Sequence, residues 1–174
     1  MLALSYTRNF FILICLFSLG CYNTNSSTVA TSQENQPQFS INDGCKINFD
    51  PKTSEFKLAS KITVSTQSPR ARCIIRINTS NAQKQFRLVP LALKGEVKKA
   101  PATVAISSIL IGEQQQPTSV SKKYTSSTKF DLTNQIPKTN YTTKEKSVLG
   151  INLVLMTTEG ELDVTEMKFA LQEK

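Results

Sequence analysis

Histidine is absent from all 174 residues, and so is tryptophan. Without histidine the chain lacks the commonest general base and the commonest metal ligand. Ser-His-Asp and Cys-His machinery are excluded with it. The want of tryptophan argues against an aromatic platform for stacking sugars. There is no glycine-rich phosphate loop, no calcium loop around Asp163 and Glu166, and no convincing internal repeat. Ser-x-x-Lys does occur, at Ser54/Lys57, Ser119/Lys122 and Ser126/Lys129. Such spacings arise by chance in a chain rich in both residues, and the Ser-Asp-Asn and Lys-Thr-Gly companions of a serine–lysine enzyme are missing. Glu159, Glu161 and Asp163 cluster at a turn, where solvated carboxylates are expected rather than the facing pair, about 5–9 Å apart, of a glycoside hydrolase. No catalytic residue, metal site or cofactor is therefore expected, and the chain does not read as an enzyme.

Long apolar runs are also missing. The greasiest stretch, Phe10–Leu19 (FFILICLFSL), is about half the 20 residues a membrane-spanning helix needs. It follows a short segment charged only at Arg8 and leads through Ser18-Leu19-Gly20 into Cys21. That is the layout of an export signal over residues 1–20. A small residue before an obligatory cysteine is the mark of a bacterial lipoprotein signal, although Ser18 stands where leucine is usual. Cys21 is thus the lipidation candidate. Several acyl chains there, at about 0.8 kcal/mol per buried CH₂, would anchor the protein stably. A soluble secreted protein that begins with a free Cys21 is the alternative. Residues 21–42, rich in Ser, Thr, Asn and Gln, read as a flexible spacer.

Of the remaining cysteines, Cys15 lies within the signal, which leaves Cys45 and Cys73. In an oxidising compartment two such cysteines most simply pair, and two buried free thiols are the alternative. Charge is uneven along the chain. Lys57 to Lys99 is crowded with lysine and arginine against the single acid Glu96, whereas the tail from Glu159 is acidic. Arg72, Arg76, Arg87 and Lys94 are the candidates for a basic face towards an anionic partner: a lipid headgroup, an acidic polysaccharide or, less plausibly on this composition, nucleic acid. The bland reading of the same residues is the wet side of a sheet.

From Cys45 onward the texture is that of strands. Ala71–Asn78 (ARCIIRIN) alternates cleanly, with Cys73, Ile75 and Ile77 on one side and Arg72, Ile74 and Arg76 on the other. Cys45–Phe49, Phe56–Thr66, Phe86–Val97, Thr103–Ile111 and Thr128–Leu132 read as further strands. Pro90 marks an edge or a bulge. Val148–Thr157 and Leu162–Leu171 flank a glycine-containing turn and read as a hairpin, with a bulge where Val164 and Met167 fall out of phase. Residues 113–146 read as a long polar loop, in which Tyr124 and Tyr141 could stack on a ligand. Residues 43–174 are therefore expected to be one all-β domain: an antiparallel sandwich of about seven strands with one disulfide, barrel closure being the other option. The sequons at Asn25, Asn78 and Asn140 carry little weight in so Asn- and Thr-rich a chain.

The run Cys73–Ile77, followed by Phe86–Val97 with its Lys94-Gly95 pair and by Leu149–Leu153, resembles an uncharacterised family of small secreted bacterial and fungal proteins. The chain departs from that pattern in having Gln83-Lys84-Gln85 before Phe86, Leu93 before the basic residue, and no terminal cysteine. The resemblance implies secretion and a β fold, and supplies no catalytic residue. Together these readings point to an exported, lipid-anchored envelope protein of binding or structural type. Its partners would be the membrane, through Cys21, and an anionic surface or envelope protein. The alternative is a secreted protein–protein module acting through the 113–146 loop.

Overall fold

A computed structural model describes residues 37–42, 44–113 and 119–174. The export segment, Cys21 and the expected spacer up to residue 36 lie outside the described residues. Within them the chain forms eleven strands: β1 (Gln38–Ile41), β2 (Ile47–Asp50), β3 (Glu55–Leu58), β4 (Ile62–Val64), β5 (Arg70–Asn78), β6 (Phe86–Lys99), β7 (Ala102–Leu110), β8 (Ser119–Tyr124), β9 (Thr128–Asp131), β10 (Val148–Thr157) and β11 (Glu161–Glu173). One 3-10 turn, Thr133–Gln135, follows β9. Sheet I runs β1-β5-β10-β7-β8. Sheet II runs β2-β3-β11-β6-β9, with β4 also paired to β11. Every pairing is antiparallel. The protein is thus an antiparallel β-sandwich.

Period-two alternation builds the core. Ile75, Ile77, Ile106, Leu149, Ile151, Leu153 and Leu155 come from sheet I and meet Phe56, Leu88, Leu93, Leu162, Val164 and Phe169 from sheet II, all fully or almost fully buried. Two bulges keep the phase. Leu88 and Leu93 are five residues apart and would face opposite ways in a regular strand. The extra residue Leu91, between the Pro90–Phe169 and Ala92–Lys168 pairs, returns both to the core. Thr165 does the same for Val164 and Met167. Both irregularities lie where the sequence signals them.

Cys45 and Cys73 are bonded, with Cα atoms 5.2 Å apart. Cys73 is buried on β5, and Cys45 stands in the crossover from β1 of one sheet to β2 of the other. The bond therefore ties that crossover to sheet I.

Several sequence expectations are corrected. β1 lies inside the expected spacer. Phe39 and Ile41 alternate with Ser40, and Phe39 packs in an aromatic trio with Phe49 and Phe56, centroids 4.6–5.1 Å apart. A single aromatic in a polar run hid that signal. Phe56–Thr66 is not one strand but two, broken at Ala59-Ser60-Lys61. β10 and β11 are not a hairpin. They belong to different sheets and are joined by an arch over the core. Each has one apolar face, which can be buried as well by arching as by pairing, so alternation alone does not choose. Gly160 allows this arch to rest on the β6–β7 crossover, because a side chain there would run into the carbonyls of Lys99 and Pro101.

The 113–146 segment is largely not a free loop either. It contains β8 and β9, and Leu132 and Ile136 are buried in the core. Beyond the 3-10 turn it runs along β6 and satisfies that strand with threonines. Leu88 N donates to Thr139 Oγ1 (2.8 Å) while Thr139 N donates to Leu88 O (3.1 Å). Phe86 N donates to Thr142 Oγ1 (2.9 Å) while Thr142 N donates to Phe86 O (2.8 Å). The polar composition that reads as a loop is in part a row of side-chain substitutes for a strand ladder.

Candidate functional site

The four cations expected to share a face do not. Arg72 and Arg76 project from the outer side of β5 in sheet I. Arg87 and Lys94 project from β6 on the outer side of sheet II, across the whole thickness of the sandwich. Their partners differ accordingly. Lys94 is 3.4 Å from Glu166. Arg87 donates to Gln172 Oε1 (2.8 Å) and lies 4.7 Å over the Tyr141 ring. Tyr141 is thus occupied by a cation of its own chain. Tyr124 is buried against Phe130, its hydroxyl without a partner and its pKa pushed up by burial. Neither tyrosine stands ready to stack on a ligand.

Charge is sorted by sheet rather than by chain half. The strands of sheet I contain no aspartate or glutamate, and carry Arg70, Arg72, Arg76, Lys122 and Lys123. Sheet II holds the strand acids Asp50, Glu55, Glu96, Asp131, Glu161, Asp163, Glu166 and Glu173. Every ion pair among the described residues uses an acid of sheet II. The tightest group surrounds Asp163, which is buried, not a solvated turn residue. It accepts from Thr63 Oγ1 (2.6 Å), Lys61 Nζ (3.1 Å) and Lys98 Nζ (3.0 Å). Burial pushes its pKa up, but the bonds from Thr63, Lys98 and Lys61 outweigh that and hold it below the ordinary range. Lys98 is raised in return, by Glu161 (2.7 Å) and then Asp163. Asp163 and Glu161 are thus each paired with lysine on the sheet II surface.

The outer face of sheet I is positively charged. Arg76 lies flat across β10 above Gly150 and donates to Ile75 O (3.1 Å) and Ile151 O (3.5 Å). A side chain at residue 150 would meet its guanidinium at 2.9 Å, so glycine is what lets the arginine rest there. Arg72 Nε donates to Asn152 Oδ1 (3.1 Å). Other outward residues, among them Ile74, Thr103, Ala105, Ser107, Ile109, Ser121 and Val154, are small or aliphatic, and the described strands place no aromatic on this side. One rung, Arg70–Met156–Thr103–Lys123, crosses four strands of the sheet. It lies in an open groove of about 460 Å³ between Pro69 and Pro101. Sequence reasoning missed Arg70 although it shares the phase of Arg72 and Arg76. It missed Lys123 because β8 read as loop.

Among the described residues no cluster of His, Cys, Asp and Glu could hold a metal, and no helix is long and apolar enough to cross a membrane. Ser119 and Lys122, three apart on β8, point to opposite faces and cannot converge.

No family model matches the chain, and no curated protein matches it. Among solved structures it is similar to TmCBM61 in complex with beta-1,4-galactotriose, at 11% identity over 83% of this chain and 92% of that one, TM-score 0.37. It is also similar to the enzymatically active domain of bacteriophage CBA120 tailspike protein 4, at 13% identity over 80% of this chain and 20% of that one, TM-score 0.32. Likenesses this distant carry no functional argument.

Proposed function

We propose that this is an exported, non-enzymatic binding module, anchored in the cell envelope through a lipidated Cys21, which turns the outer face of sheet I towards an anionic partner. The observation that carries the reading is the acid-free sheet. Arg70, Arg72 and Arg76 stand in line along β5 over about 20 Å, at roughly 3.4 Å per residue, with no strand carboxylate beside them. Arginine forks suit planar carboxylate, sulfate or phosphate groups, and Asn152 and the Gly150 surface hold two of the three in place before a ligand arrives. The Cys45–Cys73 bond is in keeping with an oxidising compartment.

The test is binding of the whole chain to a soluble polyanion as salt is raised. Affinity should fall steeply as the Debye length shrinks from about 10 Å at 0.1 M. The Arg70→Gln/Arg72→Gln/Arg76→Gln variant should bind at least tenfold more weakly. Salt-independent binding, or none, would retire the proposal. The anchor is tested separately, by the intact mass of the exported protein: an unmodified Cys21 rules it out. Recognition through residues 113–146 is not favoured, because most of that segment completes the core and the β6 edge.

A further inference from the structure

The cations of sheet I do not all have the same surroundings. Arg72 and Arg76 are engaged by their own sheet, whereas Arg70 and Lys123 make no side-chain hydrogen bond or ion pair among the described residues. They close the two ends of one rung. Three strand spacings of about 4.8 Å place their Cα atoms roughly 14 Å apart. Between them lie Met156, which is 41% exposed, and Thr103, and Pro69 and Pro101 line the groove with them. No acid lines the groove; Glu159 follows its lining residue Thr158 in the β10–β11 arch.

We infer that this groove is a subsite for an acidic saccharide, whose carboxylate or sulfate groups reach Arg70 and Lys123 while a sugar ring lies between them. The inference rests on the reading of sheet I as the anion-facing layer and deepens it. An acidic sugar displays anions, hydroxyls and C–H faces at short intervals. The rung offers the complement of each: a guanidinium and an ammonium at its ends, a threonine hydroxyl, and the aliphatic surfaces of Met156 and the two prolines. A ligand held by charge at both ends has no need of the aromatic platform that the chain lacks. Single-stranded nucleic acid relies on stacking its bases, and this face has no aromatic to receive them. A concave groove admits a single chain more readily than a flat bilayer surface.

The probes are oligogalacturonate, its neutral methyl ester, sulfated dextran oligosaccharide, and vesicles of phosphatidylglycerol and phosphatidylcholine, each titrated against the whole chain. Oligogalacturonate should bind, and its methyl ester should bind at least tenfold more weakly. A preference for sulfated dextran keeps the site and assigns its anion as sulfate. Arg70→Gln/Lys123→Gln should lose more than tenfold in affinity, as expected when charge-assisted hydrogen bonds are removed. Arg72→Gln/Arg76→Gln removes the same charge from the same anion-facing sheet outside the groove and should lose about threefold, well short of the loss at the groove. Met156→Lys adds a positive charge but removes the apolar floor, and should weaken saccharide binding; tighter binding overturns the groove. Equal losses in the two double variants overturn the groove and leave the anion-facing sheet standing. Binding to vesicles and to no saccharide overturns the saccharide. Binding to none of the four probes retires both.

Discussion

Sheet II matches its cations with acids across neighbouring strands: Lys98 with Glu161 and Asp163, Lys94 with Glu166, Lys168 with Glu55. Sheet I matches its arginines with nothing charged. It props Arg72 on Asn152 and lays Arg76 over Gly150. The two layers share one core, so burial of apolar side chains does not explain the difference. A layer whose charges are internally cancelled has a surface field that falls off quickly. A layer with fixed, uncancelled charge of one sign projects a field that attracts counter-ions and gains from meeting a polyanion. Sheet II thus pairs its charges with one another, whereas among the described residues no cation of sheet I meets an acid.

The comparison can be broken or sharpened in several ways. The largest expected effect is on what the layers share. Cys45→Ser/Cys73→Ser reopens a closure spanning 28 residues, which on the chain-entropy model costs about 3–4 kcal/mol. In urea unfolding both sheets should lose amide protection together. Loss confined to β1 and β2 would show that the layers do not unfold as one.

Asp163→Asn addresses sheet II alone and should destabilise by about 1–3 kcal/mol, the worth of hydrogen bonds to a charged group. The pH dependence follows from its lowered pKa. Its contribution is present above the unfolded-state pKa, near 4, and is lost as pH falls through the lower folded value. Glu55, lowered chiefly by Lys168, acts in the same direction. Melting temperature should therefore drop below about pH 4 in the parent, and drop less in Asp163→Asn. Parallel curves for the two proteins would remove Asp163 from that role.

Arg70→Gln/Arg72→Gln/Arg76→Gln should leave stability within about 0.5 kcal/mol, since no ion pair is broken, while polyanion binding collapses. A large stability loss would mean that sheet I uses these residues for folding after all. The smallest effect is expected for Gly150→Ala. It should shift stability by less than about 1 kcal/mol and displace Arg76 from the sheet surface, to be read from the arginine side-chain resonances. An unmoved Arg76 would show that the glycine is not what seats it.

Much of the fold was legible because period-two alternation and turn residues act locally. Ala71–Asn78 could be read as a strand with the correct buried side, and the two irregularities announced themselves, one by Pro90 and the other by the break in phase between Val164 and Met167. Less of the site was legible. Arg72 and Arg87 look equivalent in a list of basic residues, and only strand pairing sends them to opposite sides of the protein. Lys123 and Met156 join Arg70 through strand pairings 20 to 86 residues apart in sequence, distances at which no local pattern operates.

What the amino-acid order determined by itself is the all-β class, the pair of cysteines available to each other, and which side of each long strand is apolar, because these depend on neighbours one or two residues apart. The reading of residues 1–20 as an export signal ending at Cys21 is an expectation that rests on the same local kind of pattern. The tertiary structure alone decided that β10 arches to the other sheet, that threonines of a polar stretch complete β6, and that the acids gather on one layer. Each of these depends on which strands lie side by side, and that choice is made by burying all the apolar faces at once.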